Sequence, residues 1–341
     1  MSRFNLFACA AVALTLVGSG CSKGVLNPGG GGNPTGGGWV QQNPPVHNDL
    51  LAVSFADTLH GWAVGAAAIL HTSDGGRTWV NQMQNAPRQG LIYSGASAPD
   101  SNHCWVVSES DGSIQATADG GRSWMMQDAG SGGALFAVAF TDTSHGWACG
   151  QRVDHANALI RYTQTGGTVW QDAQTTGIPI LYALGASPFR LMACGVLGTV
   201  ATSDALGQQW QKTPLTGTTQ QLQAIAILPS SGGLSAVAGG VAGVGSVLTS
   251  TDGGASWGTG QPLPAGLDVE GITMASYTAG WLVGSGAGHA EIARTADGGV
   301  SWITQAVSWG LPLRGVSAVD TRHVWVVGDG GAIFYTSSGG N

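Results

Sequence analysis

The sequence predicts an all-β, seven-bladed β-propeller closed by its own N-terminal strand, spanning residues 39–341. Three observations predict it: an eight-residue box that recurs through the chain, a Gly-Trp signature ahead of each box, and an unfinished box at the C-terminus facing an orphan Trp39 near the N-terminus. Self-similarity at this period is the mark of blade architectures.

The box reads Thr72-Ser73-Asp74-Gly75-Gly76-Arg77-Thr78-Trp79 and returns at Thr117 to Trp124, Ser250 to Trp257 and Thr295 to Trp302. Two copies are worn: Thr163 to Trp170 has Thr165 in place of the Asp, and Thr202-Ser203-Asp204 reaches Trp210 with one extra residue. The closing tryptophans 79, 124, 170, 210, 257 and 302 stand 40 to 47 residues apart, the size of one four-stranded blade. The second signature is Asp57-Thr58-Leu59-His60-Gly61-Trp62-Ala63-Val64-Gly65, with counterparts at Asp100 to Trp105, Asp142 to Trp147 and Asp320 to Trp325. Weaker versions occur at Gly280-Trp281, Met192 to Gly195 and Ala236 to Gly239, so seven signatures stand against six boxes. Because the chain stops at Thr336-Ser337-Ser338-Gly339-Gly340-Asn341, Trp39 to Gln42 is expected to supply the missing outer strand of blade 7.

Within blade 1, Leu51 to Phe55, Trp62 to Gly65, Ile69 to Ser73 and Trp79 to Met83 read as the four strands from axis to rim, alternating apolar runs with tight turns. The box turn needs Gly for positive φ, and the box aspartates Asp74, Asp119, Asp204, Asp252 and Asp297 are assigned to accepting the turn's own NH groups. The Asp-x-x-His turns are likewise read as structural side-chain pairs.

Ahead of the propeller, Arg3 and the apolar run Leu6 to Val17 precede Gly18-Ser19-Gly20-Cys21, an export signal too short to span a bilayer. A Cys after small residues resembles the bacterial lipoprotein signal, which implies cleavage after residue 20 and acylation of Cys21. Ser22 after it suggests the outer membrane in a Gram-negative host. Residues 21–38, rich in Gly and Pro, read as a flexible tether. Without Arg3 the mature chain carries 11 Lys and Arg against 19 Asp and Glu. That acidic balance argues against nucleic acid and against a basic membrane-docking surface. Cys104, Cys149 and Cys194 lie in apolar runs and read as buried thiols, with no metal spacing, disulfide framework or cofactor motif.

The boxes resemble the Asp-box, or BNR, repeats of sialidases, sortilin-type receptors and several glycoside hydrolases. Combined with Gly-Trp-Ala-Val-Gly in the same blade, they look most like the photosystem II stability and assembly factor family over residues 39–341. That resemblance implies a protein-binding, non-catalytic role. Photosynthetic members are associated with an arginine-rich patch, whereas arginines here are few and scattered. One scaffold hosts many activities, so the site must carry the function.

A monomeric envelope lipoprotein that scaffolds a protein partner is therefore expected, with a glycan-binding module or a sialidase or glycoside hydrolase as the alternative. A sialidase would draw on Arg161, Arg190, Arg294 and Arg314 with Tyr182 or Tyr277 and Glu270 or Glu291. A glycosidase would need two facing carboxylates from Glu109, Asp111, Asp154, Asp268, Glu270 and Asp329. If the box turns share one face, the loops between second and third strands and between blades occupy the other. Leu51, Ser94, Phe136, Tyr182, Gln223, Glu270 and Arg314 align as inner-strand starts and should ring the channel mouth there. Around them the candidate binding face holds Arg88, Glu109, Asp111, Arg152, Asp154, His155, His289, Trp309 and Asp329, with the longest such loops in blades 3 and 5. Trp309 belongs to neither tryptophan series and reads either as an exposed anchor or as a plug between blades. Cells fed a fatty-acid analogue should label the wild-type protein and not Cys21→Ala; equal labelling of both would exclude the lipid anchor.

Overall fold

The computed structural model describes residues 34–35, 38–128, 130, 132–213, 220–228, 236–240, 246–263, 267–286 and 289–341; the signal, Cys21 and the tether up to residue 33 lie outside them. It is a seven-bladed β-propeller of antiparallel sheets. From axis to rim, blade 1 is Leu50–Phe55, Gly61–Gly65, Ala68–Thr72 and Val80–Asn81, and blade 2 is Tyr93–Ser97, Cys104–Ser108, Ile114–Thr117 and Met125–Asp128. Blade 3 is Gly133–Phe140, Gly146–Arg152, Ala158–Thr163 and Gln171–Asp172, and blade 4 is Leu181–Ala186, Arg190–Gly195, Val200–Asp204 and Gln211–Thr213. Blade 5 is Leu222–Ile227, Ala236–Gly240, Ser246–Ser250 and Gly258–Pro262, and blade 6 is Leu267–Met274, Gly280–Gly286, His289–Thr295 and Ile303–Gln305.

Blade 7 is built from both chain ends. Leu313–Ala318, Val324–Gly328 and Ala332–Thr336 are joined at the rim by Trp39–Gln41, where Val40 pairs with Tyr335 and Gln41 with Phe334. The sequence-based closure is therefore what the structure has. The strand Pro34–Thr35, inside the stretch read as tether, adds a fifth strand by pairing with Trp39 and Val40. Gly38 between them takes φ +75°, where an L side chain would be strained.

Around the axis, each inner strand packs on the next, and that of blade 7 on that of blade 1. Crowding there explains a small-residue ring: Ala52, Gly95, Ala137, Ala183, Ala224, Gly271 and Gly315. A Cβ on Gly95 would sit 3.0 Å from the Ala137 Cα, and one on Gly315 3.1 Å from the Ala52 Cα. Just before each small residue the register to the second strand slips by one. The extra residue of each bulge is Leu51, Ser94, Phe136, Tyr182, Gln223, Glu270 or Arg314, the set that sequence alignment places at the channel mouth.

The Gly of the Gly-Trp signature answers a packing demand. Phe55 pairs with Gly61, Phe140 with Gly146 and Met274 with Gly280, and a Cβ on Gly61 would lie 2.5 Å from the Phe55 ring. Where the second strand opens on a larger residue the volumes reverse or shift: Ala186 faces Leu191 and Ala318 faces Val324. Summed pair volume is held roughly constant, as a close-packed core requires. The indoles then fill the gaps between blades, with Trp325 stacked on Phe55 and Trp105 on Phe140, each pair at 3.7 Å between centroids.

In the box turn of blade 2, Asp119 accepts from the Ser123 NH and hydroxyl and from the Thr117 hydroxyl, while Thr117 Oγ1 accepts from the Gly121 NH. The same bonds recur around Asp74, Asp252 and Asp297. Donation by Ser123 holds the Asp119 carboxyl down to about 2. Thr165 keeps part of this role in blade 3 by accepting from the Val169 NH. Asp204 corrects the uniform box reading, because the extra residue of its repeat makes a different turn in which it accepts from Leu206 and Gly207. In the Asp-x-x-His turns, Asp57 accepts from the Leu59 and His60 NH groups and from the His60 imidazole at 2.9 Å, and Asp100, Asp142 and Asp320 do the same work. Within each of these blades the first box Gly, or its blade 7 equivalent, donates to a carbonyl of the Asp-x-x-His turn, as Gly75 does to Leu59 and Gly120 to Asn102, so both turn types share one face.

A second recurrence, Trp-x-x-Gln, ties blade to blade. Gln42, Gln82, Gln127 and Gln305 each stand three residues after an outer-strand Trp. Each inserts its amide into the box turn of the following blade. Gln82 Nε2 donates to the Gly120 carbonyl at 2.8 Å while its Oε1 accepts from the Trp62 and Trp124 indoles. Gln127 does the same with Gly166, Trp105 and Trp170, Gln42 reaches Gly75 and Trp79, and Gln305 reaches Gly339, Gly340 and Trp39. The second box Gly is needed for this latch as well as for its φ: a Cβ on Gly121 would lie 1.8 Å from Gln82 Oε1.

Replacing Gln82 by Leu strands one carbonyl and two indole NH groups, which costs about 1 to 3 kcal/mol. A fall in Tm of roughly 2 to 5 °C is expected by calorimetry, against no more than ~1 °C for the exposed Gln89→Ala. His71, tilted against the Trp62 ring at 4.5 Å, has its pKa lowered by burial from 6.5 to about 4. The unfolded imidazole takes up its proton first as pH falls, so this group's share of stability is lost from about pH 7 down to pH 4 and then stays lost. Tm measured across that window should fall less in His71→Gln than in the wild type.

Candidate functional site

Since strand direction alternates, the loops between second and third strands and the connections between blades all lie opposite the box turns. On this loop face the non-repeat residues gather. Asp49, Glu109, Asp111, Asp154, Asp268, Glu270, Glu291 and Asp329 stand there against Arg88, Arg152 and Arg314. Exposed Ile92, Val153, Leu197 and Leu311 lie among them.

Three groups of predicted residues come together and the rest do not. In the first, Arg88 Nη1 pairs with Asp111 at 2.5 Å, across the connection from blade 1 to blade 2. Its backbone is fixed from below: the Arg88 NH donates to the buried Gln115 Oε1, and Tyr93 OH donates to the Arg88 carbonyl. Burial works to raise the Asp111 carboxyl, but donation from Ser113, Ser108 and Arg88 holds it below the usual range. Glu109 sits in the same loop, its NH bonded to the Ile92 carbonyl.

The second group is on blade 3, where Arg152 pairs with Asp172 and not with Asp154. Asp154 closes its own loop by accepting from the Ala156 and Asn157 NH groups and the Asn157 amide, which holds it at about 2. His155 takes φ 54° and its Nδ1 bonds the Gln151 amide. The loop expected to be long in blade 5 falls outside the described residues.

The third group is at the channel mouth. Arg314 Nε and Nη2 donate to the two oxygens of Asp329 at 2.8 and 2.7 Å, and Nη1 donates to Glu270 Oε1 at 3.2 Å. This bidentate bond, with Glu270 beside it, raises the Arg314 pKa. On the other side of the mouth the bulge residues Phe136 and Tyr182 touch, centroids 5.4 Å apart, and Ser94 Oγ donates to the Leu135 carbonyl. Bulge side chains thus meet their neighbours from blade to blade.

Trp309 is a plug. It is half-buried, with its ring edge-on to Phe334, its Nε1 donating to the Asp329 carbonyl and its own carbonyl accepting from the Ala290 NH. His289, at the start of the third strand of blade 6, is exposed. Glu291 in the same strand has its pKa raised by burial.

The arginines a sialidase would need are dispersed. Arg161 of blade 3 pairs with Asp128 of blade 2 and with Asp172 of its own blade, Arg190 with the Gly253 carbonyl in the blade 5 box, Arg294 with Asn341, and Arg314 with Asp329. Among the described residues no three His, Cys, Asp or Glu are grouped to hold a metal ion, and no helix is long and apolar enough to cross a membrane. The thiols of Cys104, Cys149 and Cys194 are buried, and desolvation pushes that of Cys149 up to about 12.

Fold and site together define a β-propeller whose repeated polar groups serve one face and whose individual residues decorate the other. Residues 34–131, which include the closing strands and blades 1 and 2, match the family model of photosynthesis system II assembly factor YCF48. Among solved structures, YCF48 bound to a D1 peptide aligns with a TM-score of 0.69 at 20% identity, covering 90% of this chain and 99% of that one. YCF48 from Cyanidioschyzon merolae aligns with a TM-score of 0.70 at 17% identity over 88% and 98%. The structure of U3-55K aligns at 0.67 and 11% over 89% and 100%, so at these identities the likeness carries the fold. No curated protein matches the sequence. The chain is a propeller similar to the photosystem II assembly factor.

Proposed function

We propose that this chain is a non-catalytic, lipid-anchored envelope protein whose loop face binds a segment of a partner protein during assembly of a larger complex. The distribution of chemistry carries the reading: box and Asp-x-x-His carboxylates are spent on turn NH groups, while the loop face combines unrepeated charges with exposed Val153 and Leu197, each about two-thirds exposed. Apolar side chains ringed by charge suit a protein partner. The likeness to a propeller solved with a D1 peptide supports a peptide ligand. Candidate hydrolytic carboxylates Asp111, Asp154 and Asp329 are engaged by Ser113 and Arg88, by Asn157 and by Arg314 respectively, which favours binding over hydrolysis.

A photo-crosslinking residue placed at Val153 or Leu197 in cells should form a discrete protein adduct. The same residue at Val300 or Leu206, exposed beside the box turns, should not. Adducts from the box face alone, or turnover of a fluorogenic glycoside panel by the purified protein, would contradict this function.

A further inference from the structure

Among the described residues, the channel mouth holds a buried polar side chain that makes no hydrogen bond. Gln223 is 3% exposed, and neither its Nε2 nor its Oε1 has a hydrogen-bond partner. Buried amides are almost always paired, because desolvating both dipoles without replacement is costly. Gln223 is the bulge residue of blade 5, placed between the bulge residues Tyr182 of blade 4 and Glu270 of blade 6. Contacts from Phe136 to Tyr182 and from Glu270 to Arg314 show that bulge side chains project around the same ring.

The charge beside Gln223 selects the ligand. Arg314 has all three guanidinium nitrogens committed, to Asp329 and Glu270. One arginine thus stands against two carboxylates, and Asp49 is near enough to act on Arg314 as well. The mouth is therefore net negative, with an aromatic wall at Phe136 and Tyr182. A planar cation with several NH donors fits this setting: it donates to the Gln223 amide oxygen, neutralises a carboxylate and lies against an aromatic face, while a backbone carbonyl of the same peptide accepts from Gln223 Nε2.

We propose that the mouth between blades 4 and 6 is a pocket for an arginine side chain of a bound peptide, read by the Gln223 amide oxygen and the Glu270 carboxylate. The inference deepens the protein-binding reading above and names the chemistry of its anchor. Leaving an amide unpaired is a stability sacrifice, so Gln223→Leu is expected to melt at or above the wild type while losing the ligand.

The full-length protein in detergent is titrated with the tripeptide Ac-Gly-Arg-Gly-NH2 and with its citrulline counterpart, which keeps the shape and removes the charge. Saturable binding of the arginine peptide, about tenfold weaker with citrulline and about tenfold weaker in Gln223→Leu and in Glu270→Gln, is expected. No saturable binding, equal affinity for citrulline, or wild-type affinity in Gln223→Leu would overturn the pocket. Crosslinking from Val153 separates the two ideas. An undiminished protein adduct in Gln223→Leu leaves the binding face standing and the pocket refuted. Absence of any adduct in the wild type refutes the face, while the tripeptide titration still decides the pocket.

Discussion

A glutamine amide seated in the next blade's box turn is the contact on which the ring depends. The strand ladders stop at the blade boundaries, and backbone bonds that cross one, such as those of Gln174 with Gln208 and Trp210 between blades 3 and 4, are few, so adhesion between blades comes chiefly from side-chain packing and a few directional bonds. Gln82 supplies both, joining its own blade's Trp62 to the Gly120 carbonyl and the Trp124 indole of blade 2. The box is thereby more than a tight turn. Its Asp and Thr fix the loop, its two glycines open space, and the space is filled from the preceding blade. Ring closure uses the same device, since Gln42 follows the N-terminal strand of blade 7 and latches into blade 1.

Spending the box face on cohesion leaves the loop face to vary. Crowding at the axis imposes Ala or Gly at one position of each inner strand and a bulge immediately before it. The bulge residue is released from the sheet and its identity is unconstrained by pairing, so seven different environments open at one mouth. Leu51, Phe136 and Tyr182 make part of it apolar, and Gln223, Glu270 and Arg314 make the adjoining part polar. A symmetric scaffold thus acquires an asymmetric site.

Blade number, closure and the face assignment were legible in the sequence because each rests on a repeat, and repeats report backbone geometry directly. The seven mouth residues were also legible by alignment, although the bulge that exposes them was hidden, since a one-residue slip leaves no mark in hydrophobic alternation. Trp-x-x-Gln was visible at 39, 79, 124 and 302 and went unread because Gln carries no turn or strand signature of its own. Asp204 misled for the opposite reason: its letters fit the box while one extra residue before Trp210 changed the turn. Trp309 could be settled only by packing, and the pairings of Arg152 with Asp172 and of Arg314 with Asp329 depend on loop shapes that composition does not encode.

Native-state hydrogen exchange at the second box glycine tests the latch most directly. Gly76, Gly121, Gly167, Gly254, Gly299 and Gly340 all donate to a Thr or Ser hydroxyl at 2.8 to 2.9 Å, so the bond inside the turn is held constant. Gly76, Gly121, Gly167 and Gly340 lie under a glutamine from the preceding blade, whereas Gly254 faces Thr202 and Met192 of blade 4 instead. Slow exchange at the four latched glycines, approaching the rate of global unfolding, with faster exchange at Gly254, is the expected result. Equal rates at these five, or faster exchange at the latched four, would contradict it.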